Sequence, residues 1–419
     1  MTRILGPILL PIFFFALGGC SGDGYHTFAD YPGFASYYRD RCDGEGYRGT
    51  SPEDRALLER YRPRLILPPG GRYPIDLYRD YLPHAALLRF PDREVLSPAV
   101  TREVLDANRG KRGVFVDFSL DRYRRAGWDR KLGQEREVAL ETRRPVLYGR
   151  VYREAVDFPD GEGGKGTRRL TFLKYNALFA VSGLPARLPW YVDILMVLAG
   201  FSSEDWHELD NFVAVHVVLD EGLSPVAMVL AQHNHHRSYL LGKDLPLPGD
   251  GRVSVDVALR SNEIYPASDS GEPVAHRVIR WSRYLDYLLS GENPPLLRGF
   301  DVTYGKRAGG VEIDYDMRYL SPCDPLYTAE ILLGEPRPLF GMYVGRDGPP
   351  GSDYYTVPAL LPLGNLLKFG YLHDGDPEDI RVVREAVDRK RNTMDIDRIM
   401  EHGGRRFLED WRALPTGRP

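Results

Sequence analysis

Six segments, residues 114–120, 145–156, 169–181, 212–220, 225–233 and 252–259, alternate apolar and polar side chains and are rich in β-branched residues. A period of two puts successive side chains on opposite faces of a strand, so each segment reads as a strand with one face turned to a core. Clusters of Gly, Pro and Asp separate them, notably residues 160–166 and 245–251, and Glu221-Gly222 sits between two of them like a hairpin turn. Neighbouring strands joined by short turns pair antiparallel. The fold class expected is α+β: an antiparallel β-sandwich core, its strands mainly within 114–265, with N-terminal helices and a C-terminal charged helical tail.

Helical signals flank the strands. Ser51-Pro52-Glu53-Asp54 predicts a helix start, because Ser caps, Pro suits the first helical position and acids favour the positive end of the helix dipole. Ser97-Pro98 predicts a second helix, ended at Asn108-Arg109-Gly110, and helical spacing returns over 278–289. Residues 290–375 are rich in Gly, Pro and Tyr and suggest no regular element. Residues 377–412 predict a charged amphipathic helix, or a pair broken at Gly403-Gly404. The map expected is a leader over 1–19, a tether over 20–50, one α+β domain over 51–375 and a helical tail over 376–419.

The N-terminus carries the clearest functional signal. Arg3 precedes an apolar run over residues 4–17, which is shorter than the roughly 20 residues of a membrane span. Leu17-Gly18-Gly19-Cys20 then places small residues before a cysteine. The pattern resembles the bacterial lipoprotein signal. That resemblance implies acylation of Cys20, attachment to a membrane, and, because Ser21 rather than Asp follows, an outer-membrane protein facing the periplasm. The apolar segment 190–201 is short and contains Asp193, which suits a buried or interfacial helix better than an anchor. Of the two other cysteines, Cys42 and Cys323, either one disulfide or two buried thiols is expected. A bridge closing so long a loop contributes about 4–5 kcal/mol or less in the chain-entropy model. The net charge of −4 provides no electrostatic footprint for nucleic acid.

Candidate chemistry concentrates in one stretch. Five of the ten histidines fall between residues 207 and 236. His207, Glu208 and Asp210 precede one predicted strand, and His233 and His235 end the next. Antiparallel pairing of the two strands brings these ends together. Two imidazoles with one or two carboxylates make a metal set or a general acid–base pair; the alternative is a group of solvated polar residues at a sheet end. There is no Gly-x-Ser-x-Gly elbow. Residues 161–166 read as a hairpin tip rather than a phosphate loop, lacking the Lys-Ser or Lys-Thr that closes one. The 26 tyrosines suit a carbohydrate-binding groove, or simply fill sheet faces.

Tyr148-Gly149-Arg150-Val151, the run from Leu173 to Phe179, His207-Glu208-Leu209-Asp210, the run from Val229 to His233 and the run from Val257 to Asn262 together resemble a plant and fungal family. That family is related to a vacuolar protein-sorting protein; the chain is more distantly similar to the necrosis-inducing cytolysins. The resemblance covers roughly residues 145–265. It implies a β-sandwich with a divalent cation at the His/Asp cluster. The chain has Asn211-Phe212 where the family has Trp-Glu, and Ser261-Asn262 where the vacuolar-type pattern has Ser-His. Two polar groups are thus missing, and any divalent metal is expected to be weakly held. The reading is a lipid-anchored envelope protein with a binding or assembly role, non-catalytic, meeting an envelope protein or glycan. The alternative is a metal-dependent hydrolase of envelope polymers or lipids using His207, Glu208, Asp210 and His233.

Overall fold

The computed structural model describes residues 50–415 apart from 90–91, 110, 112–113, 119–142, 160–163, 193, 195–202, 205–206, 211–212, 233–234, 279–298, 322, 325–331, 334–336, 340–341, 345–361, 374 and 389–392. The side chains at 115, 118, 207, 208, 210, 235, 332–333, 337–339, 342–344, 387–388 and 393–394 also lie outside the description. The predicted leader, the tether with Cys20 and Cys42, and most of the predicted 278–289 helix therefore fall outside it.

Helix α1 (Pro52–Arg60) forms as its sequence dictates: the Ser51 hydroxyl accepts from Asp54 N at 3.1 Å, with Pro52 at the first position. Strand β1 (Arg64–Leu67) follows, then β2 (Ala85–Arg89) and β3 (Glu94–Ser97). Helix α2 (Arg102–Ala107) begins later than Ser97-Pro98 suggested. Thr101 caps it, accepting from Val104 N at 3.3 Å, while Ser97 closes β3 and turns its hydroxyl to Ala99 O.

After β4 (Val114–Phe118) comes a long hairpin, β5 (Val146–Pro159) and β6 (Lys165–Ala177), in register from Leu147↔Ala177 to Pro159↔Lys165. The ladder closes at Pro159↔Lys165, so Lys165 and Gly166 belong to β6, and residues 160–163 of the predicted tip lie outside the described residues. Further strands are β7 (Phe179–Ser182), β8 (His207–Asp210), β9 (Ala214–Leu219), β10 (Pro225–Gln232), β11 (His235–Leu240), β12 (Ser254–Val257), β13 (Ile264–Pro266), β14 (Val274–Arg277), β15 (Phe300–Thr303), β16 (Val311–Ile313), β17 (Asp316–Tyr319) and β18 (Leu332–Leu333), followed by two short pairs, Arg337–Leu339 with Met342–Val344 and Val387–Asp388 with Thr393–Met394. Strands β15 to β18 lie in the region, 290–375, for which the sequence suggested no regular element.

The strands assemble into a six-stranded sheet, β11-β10-β9-β6-β5-β17, and two four-stranded sheets, β13-β12-β1-β16 and β18-β4-β2-β3. Strands β7 and β8 pair separately, as do β14 and β15. The class is α+β, but the sheets are mixed and not purely antiparallel. β17 joins β5, β1 joins β12 and β18 joins β4 in parallel. Parallel neighbours need long connections, and each of these pairings joins distant parts of the chain; Arg64 pairs with Ser254, for example. That feature is invisible to a strand-by-strand reading.

Alternation along the six-stranded sheet sends Leu173, Tyr175, Val215, Val217, Met228 and Leu230 into one core, shared with Leu65 and Leu67 of β1 and Val255 and Val257 of β12. The other face meets two cores. Tyr148 lies in a cluster with residues of β2 and β4, and Tyr152, Phe158, Phe172 and Val218 lie in a cluster with the C-terminal helices.

Those helices are α3 (Leu363–Phe369), α4 (Pro377–Ala386) and α5 (Ile396–Ala413). The predicted tail is therefore a structural layer: Ile399, Met400, Phe407 and Leu408 are buried against the sheet. Nor does the helix break at Gly403-Gly404, for α5 runs through both. A Cβ at Gly403 would stand 2.0 Å from Lys368 O, and one at Gly404 would stand 2.8 Å from Lys368 Cδ. These glycines let α5 approach the end of α3.

Gly403→Ala therefore trades a helix-propensity gain of up to about 1 kcal/mol for overpacking. A net loss of about 2 kcal/mol in urea unfolding is expected. Equal or greater stability in the variant would show that the close approach does not constrain the fold.

Candidate functional site

The structure places four of the five predicted site residues on two strands. His207, Glu208 and Asp210 belong to β8, which pairs with β7 through Ser182↔His207, Val181↔Glu208 and Phe179↔Asp210. They precede β9, as the sequence suggested, and form a short strand of their own, with Leu209 buried at a positive φ of 49°. His235 opens β11, and its backbone pairs with Gln232. His233, and the side chains of His207, Glu208, Asp210 and His235, lie outside the described residues. The expected β9–β10 hairpin is present, with Val215↔Leu230 and His216↔Val229 in register.

One described loop links the two strand ends. Ser182 Oγ donates to Ser261 O at 3.1 Å, Asn262 Nδ2 donates to Val181 O at 2.8 Å, and Gln232 Nε2 donates to Ile264 O at 2.6 Å. The β12–β13 turn thus ties β7, the partner of β8, to the end of β10. Its backbone is forced: Arg260 has φ 72° and Asn262 φ 59°. Asn tolerates the left-handed region, whereas Arg is strained there. Gly183 N donates to Arg260 O at 2.8 Å and helps hold the turn.

Beside this turn sits a polar cluster that sequence reasoning missed. Asp301, wholly buried on β15, accepts from Ser261 Oγ at 2.6 Å and Tyr265 OH at 2.8 Å. His276 stacks on Tyr265 with ring centroids 3.8 Å apart and meets Thr303 Oγ1 at 2.9 Å through Nε2. Burial pushes the His276 imidazole down to about 4, against the pull of Asp301, and holds it neutral at pH 7. Burial and the Asp301 charge push the Tyr265 hydroxyl well above its usual range. The Ser261 hydroxyl faces a carboxylate, while the imidazole bonds to Thr303. The arrangement braces the turn and is not a nucleophile–base relay. Its one sequence signal was an acid isolated in the apolar run Phe300-Asp301-Val302.

A second polar group crosses the six-stranded sheet. Arg150, Lys174 and His216 are direct partners on β5, β6 and β9, so all three side chains share one face. Asn176, on the same face of β6, is also buried, and the His236 ring of β11 stands 6.1 Å from His216, edge-on. Arg150 and Lys174 are 8 % and 3 % exposed and His216 is 1 % exposed. This belt separates the two cores of that face: Tyr148 belongs to one, Tyr152 and Phe172 to the other.

The third group lies where α4 and α5 meet β11. Asp379, wholly buried, is 2.6 Å from His402 Nε2, accepts from His373 N at 2.7 Å and pairs with Arg406 Nη1 at 2.5 Å. His373 Nε2 reaches Asp244 Oδ1 at 3.3 Å, which ties this layer to the β11–β12 connection. Hydrogen bonds to Asp244 and Asp379 raise the His373 imidazole to about 9. Burial alone would push Asp379 up; its bonds to His373, His402 and Arg406 overcome that and hold it well below the usual carboxylate range.

Among the described residues, no group of three or more His, Cys, Asp or Glu side chains is placed to hold a metal ion. No helix of the described chain is long and apolar enough to cross a membrane. Cys323 is disulfide-bonded. No family model matches the chain, and no curated protein or solved structure shows significant similarity to it.

The Asp379 group sets a pH dependence. His373, raised, contributes stability in full below about pH 6.5 and loses it as pH rises through about 9; Asp379, lowered, contributes above about pH 4 and loses it as pH falls. This group therefore supports the fold best between about pH 4 and 6.5. Asp379→Asn is expected to cost about 3 kcal/mol at pH 6 and to flatten the fall in stability between pH 6.5 and 9. Urea titrations across that range check both; an unchanged slope would show that the Asp244 bond, and not Asp379, sets the His373 contribution.

Proposed function

We propose that this chain is a lipid-anchored protein of the cell envelope, held at the outer membrane and facing the periplasm. Its α+β domain, read as a β-sandwich extended by parallel edge strands, presents a binding or assembly surface and has no catalytic role. The observation that carries this reading is the N-terminal pattern: Arg3, the apolar run over 4–17, and Gly18-Gly19-Cys20. The bonded state of Cys323 supports it, because structural disulfides persist in oxidising compartments. A polymer or protein of the envelope is the partner class that fits this location.

Several acyl chains at Cys20 would make a stable anchor where one would not. Wild-type protein is expected to fractionate with membranes and to incorporate labelled palmitate. Cys20→Ala is expected to keep its leader and take up no label. A Cys20→Ala protein of normal mature size that stays in the membrane would overturn the anchor.

The disulfide provides an independent check. Cys20 and Cys42 are the other two cysteines of the chain, and a thiol carrying lipid is not available for a bridge. Cys323 is therefore paired with Cys42 on this reading. Cys42→Ser is expected to expose the Cys323 thiol to alkylation in denaturant. A Cys323 that stays protected in that variant would point to Cys20 as its partner and remove the anchor reading altogether.

A second reading, a metal-dependent hydrolase through His207, Glu208, Asp210 and His233, is favoured by one feature. The β12–β13 turn joins the β7–β8 pair and the β10 end at one place. Stoichiometric divalent metal in purified protein would support that reading against the binding role.

A further inference from the structure

We propose that the belt of Arg150, Lys174, His216 and His236 is a binding site for a phosphate group, free or esterified, held against the face of the six-stranded sheet. The argument starts from the register. Arg150, Lys174 and His216 are direct partners across three adjacent strands. Side chains in such positions have Cβ atoms about 4.5–5.5 Å apart. Three basic side chains are thus lined up on one face within the span of two strand spacings, and the His236 ring adds a fourth, 6.1 Å from His216.

The rung on one side of this row carries Tyr148, Asn176 and Ala214, and the rung on the other side is wholly apolar. One rung further down the sheet the same face carries Tyr152, Phe172, Val218 and Ala227, all buried in an apolar core. A sheet that only needed to close this face would continue that pattern. Two like charges directly opposite each other are unfavourable in a strand pair, and more so away from water. The row is therefore maintained against the local packing preference.

His216 points to a ligand. It is 1 % exposed, and neither ring nitrogen has a hydrogen-bond partner among the described residues. A buried polar group left unmade costs about 1–3 kcal/mol. Burial, with the nearby charges of Lys174 and His236, pushes its pKa well below the usual value, so the ring is neutral and keeps one N–H to donate. Arg and Lys supply donors only, and each makes contacts of its own in the folded chain. Donors on three strands around one imidazole N–H suit the oxygens of a phosphate. The β11 end of the row is closed by Ser238, whose N–H donates to Gly370 O at 3.0 Å after α3. The bound group would therefore lie between the C-terminal layer and the β2–β4 layer.

The inference is independent of the anchor, and its test leaves Cys20 unchanged. Full-length protein in non-ionic detergent is titrated calorimetrically with inorganic phosphate and, separately, with glycerol phosphate; thermal unfolding is followed in sodium phosphate against sodium chloride of matched ionic strength. Wild type is expected to bind inorganic phosphate with about one site per chain and to melt at a temperature that rises with the logarithm of phosphate concentration. Lys174→Met and His216→Val are each expected to bind at least tenfold more weakly while keeping a cooperative melt. Tighter binding of glycerol phosphate would assign the site to esterified phosphate, and equal binding to the phosphate group alone. In wild type, the His216 and His236 imidazole resonances are expected to shift on phosphate addition, a readout that stands even if a variant fails to fold. No heat and no melting shift beyond chloride in wild type, or binding unchanged in both variants, would overturn the proposal.

Discussion

Burying a six-stranded sheet on both faces is the constraint from which the rest of this structure follows. A sheet exposed on one side needs only one partner layer, and its strands alternate cleanly between apolar and polar. Here β5, β6, β9 and β10 carry buried residues on both faces. One face is closed by β1, β12, β13 and β16. Closing the other takes two separate layers, one built around β2 and β4 and the other from α3, α4 and α5. The C-terminal helices are recruited because nothing nearer in sequence completes the apolar patch of Tyr152, Phe158 and Phe172.

The same constraint explains which parts of the fold were legible in the sequence. The β9–β10 hairpin, the long β5–β6 hairpin and the Ser51 cap are local features. Alternation, turn residues and capping preferences report them directly. The parallel edges were not legible, since Arg64 and Ser254 carry no mark that they are neighbours. The continuity of α5 was hidden for a related reason. A glycine pair reads as a helix breaker until the carbonyl of Lys368 is found where a Cβ would go.

The candidate chemistry was legible in the same uneven way. The sequence drew attention to histidines near residues 207–236 because they cluster along the chain. It was silent on Asp301, Tyr265 and His276, which come together from three separate strands. Arg150, Lys174 and His216 were equally hidden, since nothing along each strand marks them as partners and only strand order and register make them a row. Buried polar groups in this protein thus occur where layers meet. The Asp301 cluster braces the β12–β13 turn, the Asp379 group fastens the helices to β11, and the belt divides two cores.

The long reach of these contacts bears on the order in which the molecule can be completed. β1 needs β12 and β16 beside it, and the sheet face bearing Tyr152 and Phe172 is covered by residues as late as Leu408. A ribosome releasing this chain from its N-terminus produces hairpins early but no finished core. Residues 146–240 remain a two-faced apolar slab until α5 emerges. Loss of α5 would therefore leave an aggregation-prone sheet in place of a shortened domain, as damaging as the loss of a central strand.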